Sequence, residues 1–372
     1  MAATIFSNIS PEVNVTTSPL PPRDPESQQL ISREFRDMFE YVIELIMFFI
    51  NSFGVLANAV NIRVFLRQGV ASDTTTIGLF SLAISDFMGC IFMLPPSTCF
   101  FFRDLDFVDF RNCTGYTAMT CHYAHIIFSR ITCWLTVYIS IERTLCVLFP
   151  LKVKFLLRPK LTKRVVITIY VFWIIFHLPY ATNTYMVPEF SPVYNASIVQ
   201  IKETSIAQTF LYINLLLATT ILTTIAMIVV AINTAILLNK LKSASKWRRE
   251  VTSAASLSSS SAHPPVTSSK RSGFKPVSSK EKEVVSTVTS ITAIYLAGSH
   301  IPAIATVSVP GLSLSGSNSH LFYTLYYCKY FMDSLSSSVN IFFYLRLSSR
   351  YKAAFFHIYF PNSLELQGMD AK

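Results

Sequence analysis

Long apolar blocks separated by short polar segments dominate the pattern of this chain. Seven blocks reach the roughly 20 residues that a helix needs to cross a bilayer. They fall at 39–66, 76–101, 118–146, 164–184, 206–238, 284–308 and 321–345. The third is the least apolar, with Arg130, His122 and His125 inside it. The pattern predicts an all-α membrane protein with a seven-transmembrane-helix bundle over 39–345. A polar N-terminal segment (1–38) precedes it and a tail (346–372) follows.

The polar segments predict the orientation. About 23 of the 31 Lys and Arg residues fall on one side of the spans and about 6 on the other. By the positive-inside rule the basic side is cytoplasmic, which places the N-terminus outside and the C-terminus inside. Four Asn-x-Ser/Thr sequons, at Asn8, Asn14, Asn112 and Asn195, all lie on the predicted outer side, where glycans are added. The first 38 residues lack the charged start and apolar run of a cleaved signal peptide, so the first span is expected to direct membrane insertion. The longest inner loop, 241–282, turns abruptly to serine and lysine and is expected to be disordered.

Composition narrows the function. Residues are 51% hydrophobic and only 14% charged, and the mean hydropathy is +0.44. A soluble domain carries nearer a quarter charged residues. The net charge of +10 is concentrated in the inner segments, so topology accounts for it and no nucleic-acid partner is implied. Seven cysteines without a C-x-x-C pair argue against a zinc module or a disulfide scaffold.

Polar groups inside the spans are costly, about 2.5–3.5 kcal/mol for a central charge on insertion scales, and each needs a reason. Here they recur in a fixed order: Gly54-x-x-x-Asn58, then Leu82-Ala83-Ile84-Ser85-Asp86, then Ile141-Glu142-Arg143 with Pro150 beyond it. Trp173 and Pro179 follow, then Asn340-Ile341-Phe342-Phe343-Tyr344 and Arg350-Tyr351-Lys352-x-x-Phe355. This series resembles the rhodopsin-like (class A) G-protein-coupled receptors. The stretch from Phe128 to Lys154 is similar in particular to the molluscan chemosensory receptors.

That resemblance implies a short amphipathic helix after the seventh span, a heterotrimeric G protein as partner and an unidentified extracellular ligand. It implies an activation switch of Glu142, Arg143, Asn340 and Tyr344, in which Glu142 pairs with Arg143 at rest and Glu281 or Glu283 adds a second carboxylate. It also implies a bundle core of Asn58, Asp86, Thr132, Ser336 and Ser337 that, with Asn340, forms a sodium-ion pocket; a hydrogen-bonded, protonated Asp86 is the alternative. No other cofactor is implied. The departures are Ile341 and His300, where the family usually has proline and tryptophan, a fifth span without proline, and no cysteine in the second outer loop. Cys121 then has Cys99, Cys113 or Cys328 as alternative partners, Cys121–Cys113 being the pairing carried forward, or remains a free thiol.

Helical stepping back from Arg143 reaches Thr136, Thr132, Ser129, His125 and His122, a polar face along the third span. His122, His125 and Ser129 are expected to line a ligand cavity with His300, Tyr326, Tyr330 and Asp333. Satisfied core histidines are the bland alternative. His125 stands where similar amine receptors carry aspartate, which argues against a monoamine. Arg130, roughly a third of a turn off that face, either meets an anionic ligand group or bonds to carbonyls of a neighbouring helix, and Lys329 and Asp333, four apart, are spaced to neutralise each other. The expectation is a plasma-membrane receptor for a small molecule or short peptide, not an enzyme. No Gly-x-Gly-Asp, H-E-x-x-H, P-loop or G-x-S-x-G signature occurs. A transporter or ion channel is the alternative, and the internal repeat it would favour is not visible.

Overall fold

The computed structural model describes residues 30–70, 73–149, 152, 157–192, 194–258, 305 and 318–361. Asn8, Asn14, His300, Glu281 and Glu283 lie outside the described residues, as does the expected sixth span apart from residue 305.

Helix α1 runs Arg33–Gln68. Ser32 starts it by accepting the Phe35 N–H, and Gly69 ends it at φ 82°, in the left-handed region that a residue without Cβ enters at little cost. Helix α2 (Thr74–Cys99) is capped by Asp73, whose carboxylate accepts from Thr76. The third span is one uninterrupted stretch: α3 (Phe107–Thr117), a π-helical turn (Ala118–His122) and α4 (Tyr123–Leu148). It begins eleven residues before the expected 118. Helix α5 is Pro159–Thr182.

Strands β1 (Thr184–Ser191) and β2 (Ala196–Glu203) form an antiparallel hairpin, with Thr184 opposite Glu203 and Ser191 opposite Ala196. The all-α expectation is therefore corrected. β-Branched Ile198, Val199 and Ile201 are buried, and Asn195 takes the turn's positive φ of 47°, which asparagine tolerates better than most. The fifth span is α6 (Ser205–Ile213), a second π-helical stretch (Asn214–Leu222) and α7 (Thr223–Ser258). Residues 241–258, expected to be disordered, continue this helix. Helix α8 is Ser319–Leu347, and the expected short helix follows as α9 (Ser349–Tyr359).

Among the described residues, five helical stretches are long and apolar enough to cross a bilayer, at 33–68, 74–102, 107–148, 159–182 and 205–240. Helix α8, at 29 residues, reaches about 43 Å at 1.5 Å per residue and is long enough too, though Lys329 and Asp333 make it more polar. The side chains are distributed inside out. Asn51, Asn58, Asn61 and Asp86 are buried, whereas Phe49 and Leu56 are 67% and 68% exposed. In water that arrangement would be unstable; in lipid it satisfies both faces.

Trp173 of α5 packs with Ile131 and Leu135 of α4 and with Leu82 of α2 in one core cluster. A second joins Val64, Phe65, Ala83, Tyr344 and Tyr351, and so seats α9 under α1 and α8.

At the hairpin end Cys99 and Cys113 form a disulfide, with Cα atoms 5.5 Å apart. The Cys121–Cys113 pairing is corrected: Cys121 is a free thiol. Cys121 lies within the π-turn, whereas Cys113, two turns earlier, lies across from the end of α2. Closing a loop of this length, a separation of 14 residues, stabilises by about 3 kcal/mol in the chain-entropy model. Cys113→Ser is expected to lose that amount in thermal unfolding of the detergent-solubilised protein. An unfolding temperature unmoved by either the substitution or a reductant would show that the bridge contributes nothing.

Candidate functional site

A cavity of about 90 Å³ opens among α4, the fifth span and α8, toward the hairpin end. Its aromatic wall includes Tyr123, Phe322, Tyr326, Tyr327 and Tyr330. His122 stacks on Tyr330 with the rings 5.4 Å apart and nearly parallel, and His125 meets the same ring edge-on at 5.7 Å. Of the residues expected to line a ligand cavity, His122, Tyr326 and Tyr330 do so. His125, Ser129 and Asp333 are brought together with them but form a layer behind the wall. The Nδ1 of His125 is 3.0 Å from the Gly89 carbonyl.

A buried ion pair joins this layer to the cavity, which Lys329 lines. Lys329 donates to Asp333 at 2.6 Å, and Ser129 donates to the same carboxylate oxygen at 2.8 Å. Lys329 and Asp333 sit four apart on α8, which puts them on one helix face. Arg130 is also buried and points across to the fifth span. It donates from Nη1 to Thr223 at 2.9 Å and from Nη2 to Thr219 at 2.7 Å. The expected carbonyl partners are thus replaced by hydroxyls. The π-helical stretch beside them leaves Thr223 Oγ1 bonded five residues back, to the Ala218 carbonyl. Such bulges often occur at functional sites.

One layer deeper, Asp86 accepts hydrogen bonds from Thr132 (2.9 Å), Ser337 (3.1 Å) and Asn340 (2.7 Å). The expected Ser336 makes no bond to it. Asn58 donates to the Ser337 carbonyl at 2.8 Å, Asn61 to Asn58 at 3.1 Å, and Tyr351 to Asn61 at 2.6 Å. A continuous polar chain therefore leads from Asp86 through α1 to the helix below the bundle. The carboxylate and hydroxyl oxygens around Asp86 are hard donors of the kind a sodium ion takes, so the residues present fit that ion.

At the α9 end, the expected Glu142–Arg143 pair is not formed. Glu142 is buried and accepts from Thr74 (2.6 Å) and Thr75 (3.2 Å). Neighbouring helical residues do not face each other, so α2 takes the carboxylate and leaves Arg143 aside. No described carboxylate pairs with Arg143. The Tyr344 hydroxyl is buried with no hydrogen-bond partner among the described residues, its ring held against Phe65 and Tyr351. Just outside the spans, Arg350 pairs with Asp73 at 2.9 Å. Desolvation raises the Asp73 carboxyl, but hydrogen bonds from Thr76 and Arg350 outweigh it and hold the group below the usual range.

At the hairpin end the Asn112 carboxamide clamps β2, donating to the Ser197 carbonyl at 3.2 Å and accepting the Val199 N–H at 2.9 Å. A glycan on that nitrogen would disturb the clamp. Asn195, in the exposed hairpin turn, has no such engagement.

Sequence reasoning did not place Tyr123, Asn214, Thr219, Tyr323 or Tyr327 on the cavity, although all five line it. The polar Asn214, Thr219 and Thr223 within an otherwise apolar fifth span were the available signal.

Apolar outer faces, polar inner faces and a cavity between helices define a multi-pass helical membrane protein with a receptor-type pocket. The chain matches the family model for the serpentine type 7TM GPCR chemoreceptor Srw over residues 45–361, and it belongs to that family. This makes it a seven-transmembrane chemoreceptor of the G-protein-coupled class, and receptors of this class are in general not enzymes. The expected sixth span lies within the matched residues. The finer likeness to rhodopsin-like and molluscan receptors is not carried by that match. No curated protein matches the chain.

Proposed function

We propose that this chemoreceptor sits in the plasma membrane with its N-terminus outside, binds a small molecule or short peptide in the aromatic cavity, and activates a heterotrimeric G protein. The observation that carries this reading is the polar chain beneath the cavity. Ser129–Asp333–Lys329 lies at its floor, and one layer deeper Asp86 with Thr132, Ser337 and Asn340 begins the chain that runs through Asn58, Asn61 and Tyr351 to the opposite end. A ligand shifts such a bundle only by preferring one of two packings.

Two groups at the far end favour a second packing. Arg143 has no described carboxylate partner, and the buried Tyr344 hydroxyl has no hydrogen-bond partner among the described residues. Buried polar atoms in that state are rare in a settled structure and call for an explanation. Tyr344 swinging inward would gain a partner, and Arg143 would face the G-protein tail. A sodium ion held by Asp86, Thr132 and Ser337 would favour the resting packing. The excess of Lys and Arg on the α9 side supports the orientation.

The test is G-protein activation in cells expressing the full chain with an N-terminal epitope tag. Wild type is expected to signal, basally or in response to extracts, and Arg143→Ala to lose at least about tenfold of that signal at equal surface expression. A loss of ~1.4 kcal/mol in coupling suffices for that factor. Staining of the tag on intact cells reports the orientation. Signalling indifferent to Arg143→Ala would reject the assigned switch, and an ionic current without G-protein activation would reject the receptor reading.

A further inference from the structure

The cavity's charge is unbalanced. Two charged side chains, Arg130 and Lys329, line it among the described residues, and both are cations. Lys329 is neutralised by Asp333. Arg130, 4% exposed, bonds among the described residues to the neutral hydroxyls of Thr219 and Thr223. The sixth span cannot supply the missing charge, because the sequence from Val284 to Ser317 contains no Asp or Glu. A guanidinium held out of water without a carboxylate is costly, and one that borders an opening has a ligand anion as its natural partner.

Two further observations point the same way. The Nε2 of His122 is buried in the cavity wall with no hydrogen-bond partner among the described residues. A vestibule of about 290 Å³ at the hairpin end shares His122, Tyr323 and Tyr327 with the inner cavity, so the two adjoin across these side chains. Together they reach the lower part of the ~300–1,000 Å³ range of small-ligand sites. Four arginines, Arg33, Arg36, Arg103 and Arg111, face two carboxylates, Asp37 and Glu40, around that vestibule. Arg33 and Arg36 pair with those carboxylates; Arg103 donates to the Asp37 carbonyl instead, and Arg111 has no described carboxylate partner. A cleft lined by one excess sign of charge concentrates and steers ligands of the other.

We propose that the ligand is a small organic anion, an apolar or aromatic body bearing one carboxylate, which enters past the arginine-rimmed vestibule and sets its carboxylate on Arg130. Its body stacks among Tyr326, Tyr330 and Phe322, and His122 Nε2 is placed to bond a polar group along it. This deepens, and rests on, the reading of the cavity as the receptor's ligand site.

The experiment measures thermal unfolding of the detergent-solubilised full chain with a series of straight-chain and aryl carboxylates, 3-phenylpropanoate among them. Each is matched to its own primary amide and amine. Carboxylates are expected to raise the unfolding temperature where their amides and amines do not. Arg130→Met is expected to weaken the best carboxylate by about 10- to 100-fold, the loss of one charge-assisted pair. Arg130→Lys, which keeps the charge, is expected to retain the acid preference. A purely structural Arg130 would change the baseline unfolding temperature and leave the acid-over-amide preference intact, and that result overturns the proposal. So does a series in which no carboxylate outperforms its amide. If that happens while Arg143→Ala still abolishes signalling, the receptor reading stands and only the anionic ligand falls. Carboxylate binding with signalling indifferent to Arg143→Ala fails the switch instead and leaves the ligand class intact.

Discussion

Replacing Lys329 with methionine is expected to destabilise the protein by about 3–5 kcal/mol, the cost of leaving one partner of a buried ion pair behind. Lys329 and Asp333 are 3% and 2% exposed, and their charged atoms are 2.6 Å apart. Methionine fills nearly the same space, so the loss measures electrostatics rather than a cavity. Asp333 would keep its hydrogen bond from Ser129, which lacks the charge to replace the ammonium. The carboxylate would then take up a proton or open the helix packing to admit water. The double variant Lys329→Met/Asp333→Asn removes both charges, keeps an acceptor for Ser129, and is expected to recover most of the loss. Denaturant or thermal unfolding in detergent reads both variants. A single-variant loss below about 1 kcal/mol would put the pair in the class of exposed ion pairs. The burial and the short distance would then be wrong.

That pair was readable in the sequence, because four residues apart on one helix fixes a common face whatever surrounds it. The same arithmetic found the face of α4 that carries Ser129 and Thr132, which donate to Asp333 and Asp86. It failed where helix geometry departs from 3.6 residues per turn or where a second element decides. The π-turn at Ala118–His122 shifts register just above α4, so His122 and His125 reach Tyr330 from two directions. No local residue pattern announces that turn. Glu142 and Arg143 were joined by analogy, yet Thr74 and Thr75 of α2 hold the carboxylate, and they are distant in sequence. Arg130 was seen as off the polar face; the fifth span packs on that side, and its threonines make the position polar after all. The hairpin was missed because Pro188 and Glu189 interrupt the apolar alternation of β1. The choice among cysteines needed the fold, since only proximity separates Cys99 from Cys121 as the partner of Cys113.

Gly54 sets two physical effects against each other, and the sign of one substitution decides between them. On helix propensity alone Gly54→Ala would stabilise α1 by about 1 kcal/mol. Against this, a Cβ at position 54 would lie 2.6 Å from the Cys90 sulfur of α2 and would also collide with the Ser338 hydroxyl of α8. Neither neighbour can yield easily. Ser338 donates to the carbonyls of Ile50 (3.0 Å) and Ser334 (2.7 Å), and Cys90 is buried at 1% exposure. Glycine here lets three helices approach closely, as small residues do in membrane interiors where packing must replace the hydrophobic drive. Gly54→Ala is therefore expected to destabilise by about 1–3 kcal/mol, the usual cost of overpacking. Gly54→Val is expected to exceed that by prying α1 from α8. The separation would also stretch the bond from Asn58 to the Ser337 carbonyl, one turn along α1, and cut the polar chain between Asp86 and Tyr351. Signalling should then fall further than surface expression does. Ser338→Gly in the Gly54→Ala background clears one collision and is expected to restore part of the loss. A Gly54→Ala protein more stable than wild type would show propensity winning, and the close approach of α1, α2 and α8 would have to be abandoned.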